Sequence, residues 1–265
     1  MRRLRNSRAP EPDDAALEGF DRLDLEGDAI APVSDEIASL RPFGSDIPGP
    51  VLPVGAAESL PEAELVPRQA RELAELGRQL DAVLLLRRYL DDAPLDANVR
   101  ALLAELLDRS GDTEQALQEL TRALADSGDP VAMLVRRGDL LARAGRTTEA
   151  EADLREAVRQ SAAYAPAHYH LGLTLLRRGR GADAVDAFRE ALRCAPSDPD
   201  ATYYLGEALH SLGDLTAALQ ALERAAALAP GNPRSFKLMG RLLDRLGRTE
   251  EAMVMHKKAR EAAIR

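Results

Sequence analysis

The chain has 265 residues, 44 acidic and 35 basic side chains, and one cysteine, Cys194. A lone thiol closes no internal disulfide, and no apolar run reaches the length that a membrane-spanning helix needs. Residues 10–14, rich in proline and acid, fall where a secretory signal would carry its apolar segment, so composition predicts a cytoplasmic protein of one or two domains.

Residues 1–62 come first, with 13 acidic and six basic side chains and eight prolines but no sustained hydrophobic period. Such a stretch buries too little apolar surface to offset its ordering cost, which predicts a disordered acidic leader. Inside it, Ala16, Leu17, Phe20, Leu23 and Leu25 stand among Asp13, Asp14, Glu18, Asp21, Asp24 and Glu26. Two readings stay open for this run: a solvated linker, or an acidic amphipathic helix that folds on a partner. Its charge also allows an intramolecular contact with the arginines of the array that follows.

From residue 63 a period of 34 takes over. Gly77, Gly111, Gly145, Gly179, Gly213 and Gly247 recur at it. Each stands four residues after a leucine (Leu73, Leu107, Leu141, Leu175, Leu209, Leu243) and five before an alanine (Ala82, Ala116, Ala150, Ala184, Ala218, Ala252). The units are 63–96, 97–130, 131–164, 165–198, 199–232 and 233–265. In the fifth, residues 203–212 place Leu205, Leu209 and Leu212 at helical spacing, and Gly213 ends that helix by taking the left-handed turn. A second helix follows over residues 215–228, with Ala218, Leu219, Leu222 and Ala225 on one face, and Pro230, Gly231 and Asn232 break it. One such hairpin is too small to bury both apolar faces alone, so the units must stack. Gly172, Gly206 and Gly240 remove a side chain where two helices approach; Ala104 and Gly138 take that place in earlier copies.

With Leu171, Gly172, Leu175, Ala184, Phe188, Ala191 and Pro196 in that order, and Leu205, Gly206, Leu209, Ala218, Leu222, Ala225 and Pro230 in the next copy, the unit resembles the tetratricopeptide repeat. The resemblance covers residues 63–265 and implies an all-α, right-handed superhelical solenoid of antiparallel helix pairs. Departures lie in the outer copies. Pro67 falls in the first helix of repeat one and Tyr89 stands where alanine is usual, while Gly128 and Ala162 replace the closing proline of repeats two and three. His256 and Arg260 occupy places that would face a seventh unit, which reads as a terminal cap.

The residues offer no catalytic machinery. No phosphate-cradling glycine loop, serine nucleophile elbow or zinc-protease helix occurs, so an enzyme is not expected. His168 and His170, two apart on one helix, point to different faces, and neither a metal nor a cofactor is expected. The array has 31 acidic and 29 basic side chains, which argues against nucleic acid, since RNA-reading helical repeats need a basic groove.

A groove remains. By helical angle, first-helix positions 2, 5, 9, 12 and 13 point away from positions 4, 8 and 11, and in the resembling family the former line the concave surface where peptides bind. Position 13 supplies Arg109, Arg143, Arg177 and Arg245, a ladder suited to carboxylates. Positions 5, 9 and 12 of the middle copies supply Val135, Tyr169, Leu173, Leu176, Tyr203, Glu207 and His210. Some family members clamp a C-terminal carboxylate with lysine and asparagine at positions 5 and 9 of one repeat; here those places hold Tyr169 and Leu173, or Tyr203 and Glu207. The expected function is a non-catalytic adaptor or scaffold for a protein or peptide partner. Two alternatives are a self-associating array and a regulatory or targeting subunit of a separately encoded enzyme or of an assembly or secretion machinery.

Overall fold

In the computed structural model of this chain the described residues are 62–264. The predicted leader up to Pro61, with the run around Phe20 and its expected contact with the array, lies outside them. Among the described residues there are twelve helices and no strand: α1 (Glu62–Glu75), α2 (Gln79–Asp92), α3 (Ala97–Arg109), α4 (Thr113–Asp126), α5 (Pro130–Arg143), α6 (Thr147–Gln160), α7 (Ala165–Arg177), α8 (Gly181–Cys194), α9 (Pro199–Ser211), α10 (Leu215–Leu228), α11 (Pro233–Arg245) and α12 (Thr249–Ile264). None is long and apolar enough to cross a membrane.

The repeating glycine and leucine act on the same few backbone atoms. Each turn glycine has φ between 70° and 88°, a conformation that other residues adopt only with strain. That geometry lets the next residue donate its N–H back to the carbonyl of the repeating leucine. Arg78 N to Leu73 O and Arg180 N to Leu175 O are both 2.9 Å, and Asp214 N to Leu209 O is 3.1 Å. The leucine thus closes the helix with its carbonyl while its side chain packs inside. Between repeats, Asp96, Asp198 and Asn232 accept from the first free N–H groups of α3, α9 and α11. Pro199 and Pro233 then fill a first-turn position where a missing N–H matters least.

In repeats three to six the hairpin closes over a position without a side chain, where repeats one and two carry Ala70 and Ala104. A Cβ at Gly172 would stand 2.7 Å from the Phe188 ring; at Gly138 and Gly206 it would meet Leu154 and Leu222 at 2.7 and 2.8 Å. The six repeating alanines are fully buried. His256 closes the last hairpin, with its side chain still 41% exposed. It stands in the same column as Phe188, so its ring covers Gly240 inside its own hairpin, and Nε2 bonds Asp244 at 2.9 Å.

Neighbouring hairpins join second helix to first, as in α6–α7 and α8–α9. First helices also touch one another (α1–α3, α5–α7, α7–α9), whereas second helices make no comparable mutual contact. The array therefore bends toward its first helices, which form the inner wall. One joint carries a buried carboxylate: Glu151 of α6 is met by Arg155 at 2.6 Å, by Arg180 at 2.7 Å, and by Arg178. Arg178 and Arg180 belong to the next repeat's turn, so this cluster ties repeat three to repeat four.

The close approach at Gly172 sets a testable sign. Alanine in place of glycine ordinarily favours a helix by about 1 kcal/mol. Here Gly172→Ala should lower stability by ~1–3 kcal/mol, because the buried Phe188 ring has no room to shift. Adding Phe188→Leu recreates the Ala104–Leu120 pairing of repeat two and should recover part of the loss. Thermal and urea melts check both; a stabilising Gly172→Ala would refute the packing argument.

Candidate functional site

The inner wall is a continuous run of side-chain contacts, polar in repeats two and three and aromatic from repeat four onward. In the polar part, Arg143 donates to Asp108 at 2.6 Å and to Asp139 at 3.1 Å, while His170 Nδ1 sits 3.1 Å from the other Asp139 oxygen. Arg109 pairs with Glu105 on its own helix at 2.7 Å. These contacts correct the expectation of an arginine ladder open to a partner. The wall supplies acids one helical turn or one repeat away, and Arg109 and Arg143 bond those first. Arg245 likewise donates to His210 Nε2 at 2.8 Å. Among the described residues Arg177 alone of the four has no hydrogen-bond or ion-pair partner.

The aromatic part begins at Tyr169, whose ring lies edge-on to His170, Phe188 and Tyr204 at 5.1, 6.2 and 5.9 Å. Tyr203 follows, 5.2 Å from Tyr204. Arg234 of α11 ends the run. Its guanidinium lies 4.5 Å from the Tyr203 ring centre, 5.1 Å from that of Tyr204, and donates to Tyr204 Oη at 2.8 Å. Tyr169, Leu173, Leu176 and Tyr203 are half-buried, each resting on the core with one side open. Val135 is different and corrects its assignment to the groove surface. It is only 5% exposed and joins the buried cluster that includes Ala167 and Leu171, where α5 closes against α7.

Sequence reasoning missed Arg234, Tyr204, Asp139 and Asp108 as members of this wall. Arg234, Asp139 and Asp108 occupy inner-wall positions 2, 9 and 12, so the positional rule that found Tyr169 would have named them. Tyr204 sits at position 6, where only its contacts reveal it. His168 is buried with Nε2 3.0 Å from Ala162 O, a structural role. No group of three metal-ligating side chains occurs among the described residues.

The sequence pattern of the tetratricopeptide repeat matches residues 68–130, 102–166, 135–199 and 169–233, and a second pattern of that description matches 209–263. No curated protein sequence matches the chain. Among solved structures, a crystal structure of MamA is 25% identical with a TM-score of 0.56, covering 61% of this chain and 94% of its own. PilF of Pseudomonas aeruginosa is 24% identical with a TM-score of 0.64, covering 73% and 88%. MamA of Desulfovibrio magneticus RS-1 is 22% identical with a TM-score of 0.57, covering 63% and 94%. The last two likenesses concern the fold.

Partial burial shapes the titration of the wall. Desolvation pushes the Tyr203 hydroxyl up to about 12 and raises Tyr169 as well. It also raises the Glu207 carboxyl, against the pull of Arg234 and Arg241. Burial alone would raise Asp139, but His170 and Arg143 together outweigh it and hold the group below the usual range. Burial, then Arg245 and Arg241, lower His210 from 6.5. Its folded value lies below its unfolded one, so the unfolded chain takes the extra proton first. His210 therefore contributes its full stability above 6.5, and loses it as pH falls from there through the folded midpoint. NMR titration should place the His210 midpoint below 6.5. Arg245→Gln should raise it only part of the way, because burial is the larger cause; a wild-type midpoint at or above the ordinary value would overturn this.

Proposed function

Since the chain belongs to the tetratricopeptide repeat family, we propose that it is a non-catalytic scaffold that holds a segment of a partner protein against the inner wall of repeats three to five. One observation carries this reading. Tyr169, Leu173, Leu176 and Tyr203 form an apolar strip that is half open where a solvated helix face should be polar, and the unpaired Arg177 stands at its edge. Contiguous apolar surface of this kind marks interaction sites, and tyrosine and arginine are favoured anchors. Val135 lies beneath the strip and supports it without meeting the partner. Glu207 and His210 lie on the α9 part of the wall, where they fix local charge.

A second reading is self-association, favoured by Leu76, Leu80 and Leu84 of repeat one. They are 74%, 67% and 62% exposed, although columns 18 and 22 are mostly polar or small in the other copies. Light scattering across a concentration series separates the two readings.

Leu173→Gln with Leu176→Gln keeps good helix formers on the wall and removes its apolar character. Losing a true anchor costs about 2 kcal/mol or more of binding, so this pair should abolish partner capture in a pull-down read by mass spectrometry. The melting temperature should stay within a few degrees of wild type. Capture that survives in a folded double variant would place the partner site elsewhere.

A further inference from the structure

Repeat six is electrically unlike the rest of the chain. Residues 233–265 hold nine basic and four acidic side chains, including all three lysines, in a chain whose totals are 35 and 44. Four of the nine, Arg234, Lys237, Arg241 and Arg245, follow one another along α11 at spacings of three, four and four residues. At about 100° per residue they fall within an arc of about 80°, a single stripe along the helix. It flanks the face that buries Met239, Leu242 and Leu243.

The stripe borders the inner wall, because Arg234 at one end holds Tyr203 and Tyr204 and Arg245 at the other holds His210. Lys237 and Arg241 lie between them, exposed, and among the described residues neither has a hydrogen-bond or ion-pair partner. The acid on α11, Asp244, is taken by His256. Glu207 is an inner-wall carboxylate of α9; it is half-buried and feels Arg234 and Arg241 without an ion pair to either. Arg109 and Arg143 of repeats two and three are bonded to Glu105, Asp108 and Asp139, whereas Arg177, Lys237 and Arg241 of the later repeats have no such partner among the described residues.

We propose that the α11 stripe is the anion-recognising end of the groove and that the partner is an acidic segment with an apolar anchor. Its aspartate or glutamate side chains lie over Lys237 and Arg241, and its anchor rests on Tyr169, Leu173 and Leu176. This rests on the groove reading above and gives the bound segment a direction. A guanidinium and an ammonium without internal partners bind carboxylates without first giving up another contact. A peptide suits the site better than a nucleic acid does, because repeats one to five are acidic overall and would repel a polyphosphate running on from the stripe.

The test pans a random 12-residue peptide library, displayed on phage, against the full chain. It is repeated against Lys237→Glu/Arg241→Glu and against Leu173→Gln/Leu176→Gln. The wild type should select peptides rich in aspartate and glutamate beside leucine or aromatic residues. A synthetic peptide from that pool should bind the α11 variant about tenfold or more weaker, with an unchanged melt because both replaced side chains are exposed and unpaired. Pools from the α11 variant should lose the acidic excess and keep the apolar one. A wild-type pool without acidic excess, or affinity unchanged by the reversal, overturns the α11 assignment and leaves the groove standing. Acidic peptides that ignore the leucine pair overturn the groove reading and the direction with it, and a library without binders overturns both. A labelled single-stranded RNA that binds as tightly as the peptide overturns the assignment to an acidic protein segment.

Discussion

The array depends on how closely two helices approach at a position that is glycine in repeats three to six and alanine in repeats one and two. Glycine there costs a helix about 1 kcal/mol relative to alanine. Burying a phenylalanine or leucine in the space it opens is worth about 1.5–3 kcal/mol, so the exchange favours the fold. Gly172 under Phe188 and Gly206 under Leu222 are two instances, and Gly240 under the His256 ring is a third. Closing the hairpin there leaves its remaining apolar faces to be covered by the next hairpin. It also brings first helices against first helices on one side of the array. The inner wall is a consequence of that packing, because side chains at equivalent positions of α5, α7 and α9 are brought within reach of one another.

Once the wall exists, its charges cannot all stay open. An arginine half-withdrawn from water is stabilised by the nearest carboxylate, and in repeats two and three the sequence places one within a turn or a repeat. Arg143 between Asp108 and Asp139 is the result. The aromatic part behaves alike, with Arg234 stacked over two tyrosines and bonded to one of them. These contacts link neighbouring first helices, so they set the local shape of the wall and leave only particular groups for anything bound to it.

Much of the fold was legible in the sequence because its requirements are local and repeated six times. A left-handed turn needs glycine, and the leucine four residues earlier carries both the carbonyl that closes the turn and a core side chain. The wall was legible only in part. Position rules found Tyr169, Leu173, Leu176 and Tyr203, all of which line it. They could not show that Val135 is covered by the neighbouring repeat, since burial depends on how near α7 comes. Nor could they show that Arg143 reaches Asp108, 35 residues away, because that pairing depends on the angle between hairpins. His256 shares its column with Phe188 and Leu222 and covers Gly240, yet in the last hairpin its side chain stays 41% exposed.

The contacts along the wall run without a break from Asp108 through Arg143, Asp139, His170, Tyr169, Tyr204 and Tyr203 to Arg234. A ligand that recruits one of these groups must first displace an internal partner, and the gain is only the difference between two similar interactions. A ligand that meets Leu173, Leu176, Arg177, Lys237 or Arg241 displaces water alone. Binding energy that exceeds the cost of ordering a flexible segment has to come mainly from the second group. The internally bonded residues then act as the fixed frame that keeps those open side chains in register across repeats four to six.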